Sequence, residues 1–79
     1  MHESRKDAGA KMDSRVYQIV ELVGTSELDI EDAINNAIMQ AARFHGKLDW
    51  YEVMQTRGFI ENNVSKFYQV HLKIGCHTH

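Results

Sequence analysis

The sequence predicts an α+β domain with the element order β-α-β-β. Three observations carry this. Residues 15–23, 48–60 and 64–75 are runs rich in β-branched and aromatic side chains. Between the first two lies a single apolar stripe at helical spacing. Between the last two stands Asn62-Asn63, a pair that tolerates positive φ and suits a tight hairpin turn.

The first 14 residues, MHESRKDAGAKMDS, are polar and without apolar periodicity, and read as a flexible tail; residues 15–79 form one domain. The first strand covers Arg15 to Val23 and is expected to stop at Gly24-Thr25-Ser26. In the helix, Ile30, Ala33, Ile34, Ala37, Ile38, Ala41 and Ala42 recur on one face. Asp29 fits the N-cap, Glu31 and Asp32 put negative charge in the first turn, and Gly46 fits the C-terminal stop. The alanines keep the stripe low, so the helix can lie close against a sheet. The second strand covers Leu48 to Ile60 and the third Val64 to Gly75, paired antiparallel, with the first strand joining the same sheet.

Size and charge bound what such a domain can do. A chain of 79 residues buries only roughly 60% of its unfolded surface. Its one cysteine, Cys76, excludes an intrachain disulfide framework, which leaves metal or self-association as support. A net charge of −2 without a basic block argues against nucleic acid as a partner. No apolar run approaches the roughly 18 residues of a membrane span, and a polar start with unpaired cysteine suggests a cytoplasmic setting.

Alternation along the strands raises a packing problem. In the third strand Tyr68, Val70, Leu72 and Ile74 share the face expected to meet the helix, and Phe67, Gln69, His71 and Lys73 share the other. In the second, Tyr51 and Val53 oppose Trp50, Glu52 and Met54; the first strand is apolar on both faces. One helix covers one face, so the aromatic and apolar groups on the other call for association with further copies.

The blocks VYQIVELVGTS, EDAINNAI, LDWYEV, TRG and FYQVHLKIG, in this order and without gaps, resemble the dodecin family of small flavin-binding proteins. The resemblance runs from about Arg15 to Gly75. It implies a protomer whose three-stranded antiparallel sheet wraps around the helix, assembled as a hollow homododecamer. It also implies flavins bound in antiparallel pairs near two-fold axes, with FMN as the first expectation and riboflavin or FAD as alternatives.

Read alone, Trp50 is a core or interface aromatic; as a platform it offers an electron-rich ring to the electron-poor isoalloxazine, and it matches the family's stacking tryptophan. Gln69 alone is a solvated strand residue; its amide offers the donor and acceptor that the flavin's uracil-like edge requires, and it matches the family's flavin-edge glutamine. Arg57 alone is an ion-pair partner. The resemblance places it near the flavin side chain and phosphate, which a guanidinium fork suits. Gln55 matches a position where some relatives contact the ribityl hydroxyls. His77 stands where bacterial relatives carry a candidate phosphate-binding arginine: this chain reads Gly75-Cys76-His77 for Gly-Phe-Arg, and Phe59 replaces a frequent histidine.

The function expected is therefore non-enzymatic: flavin is stored and its photochemistry quenched by stacking on Trp50. Two alternatives stand beside it. One is a shell that binds coenzyme A or another nucleotide, although Gln40 and Phe44-His45-Gly46 occupy the places where relatives carry basic residues. The other is a metal-binding protein using His71, Cys76, His77 and His79. The latter three lie in a segment expected to fray, which disfavours the four fixed ligands of a structural zinc site.

Overall fold

A computed structural model describes residues 16–77. They form strand β1 (Tyr17–Ser26), helix α1 (Ile30–His45), strand β2 (Trp50–Glu61) and strand β3 (Val64–His77). The expected tail and Thr78-His79 lie outside the described residues. The sheet is antiparallel throughout, in the order β1-β3-β2, so the last strand in sequence is the central one in space.

Local chemistry sets each boundary. Asn62 and Asn63 adopt φ of 55° and 62°, the two positive dihedrals that a two-residue type I′ hairpin demands and that asparagine accepts. Asp29 caps α1 by accepting a 2.7 Å bond from the Asp32 amide. Ser26 Oγ donates to the Asp32 carboxylate at 2.7 Å and accepts from the Leu28 amide at 2.9 Å, tying the end of β1 to the first helical turn. At the other end Gly46 takes φ 76°, and its N–H donates to the Ala42 carbonyl at 3.0 Å.

The core lies between α1 and the β1–β3 half of the sheet. Ala33, Ala37 and Ala41 pack on Val70, Leu72 and Ile74, all buried, with Val20, Leu22, Ile34, Ile38 and Leu48 around them. Each of the three β3 side chains contributes about 1.5–3 kcal/mol by leaving water. The ends of the predicted stripe are wetter: Ile30 and Ala42 are exposed.

Two expectations are corrected. Gly24-Thr25-Ser26 does not follow the strand but forms its last three residues: β1 ends at Ser26, with Gly24 paired to Val70. Gly24 is there for close approach, because a Cβ would collide with the Ala33 carbonyl oxygen. Likewise β3 runs two residues past Gly75. Cys76 is buried, its thiol donating to the Gln18 carbonyl at 3.6 Å, and His77 pairs with Tyr17, so neither belongs to a frayed end.

The helix leaves β2 uncovered. All twelve of its residues are exposed, including Tyr51 (49%) and Val53 (41%), which register with the buried Ile74 and Leu72 on the helix side. Trp50 and Phe59 are exposed on the opposite face. A strand that is apolar and wet on both faces is a surface built to be covered.

Candidate functional site

The face away from α1 carries the sequence-predicted site residues, and one irregularity decides which of them share it. Trp50 and Gln55 are five positions apart, and Trp50 and Arg57 seven. In a regular strand both separations are odd, which would send Gln55 and Arg57 to the helix side. The register instead shifts between Val53, opposite Leu72, and Gln55, opposite His71. Met54 is the extra residue of this β-bulge, and beyond it the alternation is reversed. Met54 therefore does not continue the Trp50–Glu52 series as alternation alone predicts. Gln55 and Arg57 join Trp50 and Gln69 on the outer face.

Three of the expected residues are in direct contact. Arg57 donates through Nη2 to Gln55 Oε1 at 2.6 Å and through Nη1 to Gln69 Oε1 at 3.4 Å. With Val23 and His71 they line a depression of about 110 Å³. His71 Nε2 lies 3.1 Å from Glu21 Oε2 on the same face.

Trp50 sits at the other end of the sheet. Its register partner is Gly75, and the indole lies flat over that glycine: a Cβ there would be 2.7 Å from Nε1 and closer still to the ring carbons Cε2 and Cζ2. The indole is 36% exposed, and the Tyr17 ring stands 6.0 Å away at 58°. His77, the fifth expected residue, belongs to this end. Its Nδ1 is 2.5 Å from Asp49 Oδ2, and Tyr17 meets it edge-on at 6.5 Å. Gly75 and Gln69 are six residues apart along β3, about 20 Å. The expected residues thus form two groups on one face, too far apart for a single flavin ring system to touch both within one protomer.

Tyr17, Val23 and Asp49 were not singled out from the sequence. Tyr17 and Val23 are reachable in principle, since alternation puts both on one face of β1; Asp49 precedes its strand, where no periodicity applies. His71 and His77, two of the proposed metal ligands, are six positions apart on β3 and hold different carboxylates. Among the described residues no three His, Cys, Asp or Glu side chains converge on a common point, and no helix is long and apolar enough to cross a membrane.

An open aromatic platform, an amide-braced guanidinium and a sheet face awaiting cover define a small ligand-binding protein of β-α-β-β architecture. Comparison with known proteins agrees. A sequence model of the dodecin family matches residues 16–79. The dodecin of Thermus thermophilus is 48% identical over 61 residues, 77% of this chain and 88% of that one. Among solved structures, the dodecin of Streptomyces coelicolor superposes with a TM-score of 0.79 at 40% identity, covering 86% of this chain and 97% of that chain. That of Streptomyces davaonensis gives 0.78 at 32% identity, over 82% and 96%. This chain belongs to the dodecin family.

Proposed function

We propose that this chain is a non-enzymatic flavin-binding protein that assembles as a homododecamer, stores flavin and quenches its photochemistry. The observation that carries this reading is Trp50: the only tryptophan of the chain, held flat over Gly75 and open to a ligand on the face that also bears Gln69 and Arg57. An isoalloxazine stacks on the indole, which donates an electron to the photoexcited flavin and receives it back, so that light leaves no chemical change. Gln69 meets the pyrimidine edge of the flavin. Its Oε1 is engaged by Arg57, which leaves the NH2 group to donate to a flavin carbonyl. The Arg57 guanidinium meets the phosphate of FMN and Gln55 the ribityl chain, while His77, held by Asp49 and edge-on to Tyr17, is a further contact for the flavin at the Trp50 end of the sheet.

The separation of about 20 Å between the two groups supports a site completed between copies, with Trp50 from one and Gln69 with Arg57 from another. The uncovered faces of β2 supply the apolar area for such contacts.

Fluorescence titration with riboflavin and FMN tests the reading. The parent should darken either flavin on binding. Trp50→Ala should weaken binding by about 1–3 kcal/mol, by analogy with base–aromatic stacking, and restore emission of whatever remains bound. Gln69→Ala should weaken binding by about 1–3 kcal/mol yet keep the quenching, and Arg57→Ala should affect FMN more than riboflavin. A Trp50→Ala protein that bound flavin as tightly as the parent and kept it dark would refute the stacking mechanism.

A further inference from the structure

The Trp50 platform stands where a sheet is weakest, at the start of β2 and the end of β3. Asp49, the residue before Trp50, ties these two ends together with two bonds. Its backbone N–H donates to the Gly75 carbonyl at 2.9 Å, which carries the ladder one step past the strand. Its carboxylate Oδ2 accepts from His77 Nδ1 at 2.5 Å. The two side chains are only 15% and 16% exposed, so water competes little for a bond to an ionisable acceptor.

This clasp reaches the indole through Tyr17. Tyr17 is the register partner of His77 and meets the imidazole edge-on at 6.5 Å. The same phenol ring stands 6.0 Å from the indole at 58°. Both separations lie within the range of direct aromatic contact. Gly75 lies beneath the indole and has no side chain, so it gives the ring a floor but no wall. Tyr17 is a wall, and His77 backs it. An aromatic ring that is partly exposed and must receive a flat ligand loses affinity if it has to be ordered at the moment of binding.

We infer that Asp49 is a positioning residue for the Trp50 platform. Its carboxylate fixes His77, His77 fixes Tyr17, and Tyr17 fixes the plane of the indole, so that a ligand meets a ring already in place. Asp49 acts through these rings and not on the ligand. Its role rests on the proposed function only for what the platform receives; the ordering of the indole belongs to the flavin-free protein.

The test reads the single tryptophan of the full-length, flavin-free protein. Asp49→Ala keeps the backbone bond to Gly75 and removes only the hold on His77. Its far-ultraviolet circular dichroism and particle mass should match the parent, while its near-ultraviolet aromatic bands weaken and its emission shifts to the red. Asp49→Asn retains an oxygen that accepts from His77 and should restore both signals. His77→Phe keeps a ring for Tyr17 but gives Asp49 nothing to hold. Measured without flavin, it should behave like Asp49→Ala, and it decides the outcome if Asp49→Ala does not fold. Riboflavin titration adds the binding readout. Asp49→Ala should bind about two- to tenfold more weakly, the range expected when one side chain must be ordered on binding. It should still quench fully at saturation, because the indole is present. Failure of the parent to bind riboflavin would count against the flavin reading and leave the tryptophan signals to decide this one. Unchanged aromatic bands and emission in Asp49→Ala or in His77→Phe would overturn the inference, as would an Asp49→Asn protein altered as much as Asp49→Ala.

Discussion

Gly75→Ala separates two opposite effects and so reports directly on where the indole of Trp50 lies. The backbone at Gly75 is not in the positive-φ region, so alanine fits the main chain without strain. On that ground alone the substitution should stabilise the protein by about 0.4–1 kcal/mol, because alanine narrows the unfolded ensemble. The indole reverses the sign. A Cβ at residue 75 would lie 2.7 Å from Trp50 Nε1 and nearer to two ring carbons, against ordinary apolar contacts of about 3.5–4 Å. The ring must therefore lift by at least about 1 Å. Inserted methyl groups of this kind cost about 1–3 kcal/mol. With the indole 36% exposed, the lower end applies, and subtracting the gain of about 0.4–1 kcal/mol leaves a net loss of about 0.5 kcal/mol. Urea unfolding, followed by the emission of the single tryptophan, measures both quantities. The midpoint should fall, and the native emission should shift to the red as the indole leaves Gly75 and Tyr17 for water. Flavin should bind more weakly, since the platform is tilted. A Gly75→Ala protein that is more stable than the parent, with unchanged emission, would refute the placement of Trp50.

Other consequences follow from the same packing. Gly24→Ala should be more damaging, about 3 kcal/mol or beyond, because the obstacle is the Ala33 carbonyl, a backbone atom that cannot rotate aside; thermal unfolding beside Gly75→Ala gives the order. Asp29→Ala should cost about 1 kcal/mol, readable in the same scan, by removing the acceptor for the Asp32 amide. Sedimentation of the parent at micromolar concentration should give a particle many times 9.1 kDa; a monomer would leave β2 wet on both faces and remove the site proposed between copies.

The element order, the hairpin and the caps were legible in the sequence because each depends on neighbours in the chain. Asn62-Asn63 specifies its own turn, Asp29 reaches an amide three residues on, and the Ala33–Ala37–Ala41 stripe follows from the helical repeat. The inward face of β3 was legible too, since Val70, Leu72 and Ile74 alternate without interruption. The two glycines show where local reading fails. Gly24 looks like a strand stop, yet its meaning is the helix crossing above it; Gly75 looks like a strand end, yet it is the floor under Trp50. Their roles are set by atoms distant in sequence. The same holds for the site. Strict alternation places Gln55 and Arg57 on the wrong face, and only the partner strand reveals that Met54 is one residue too many. A bulge is a mismatch in count between two strands, and one strand read alone has nothing to be counted against. The sequence by itself thus determined the elements and the residue types of the site, whereas pairing across the sheet decided which of those residues meet.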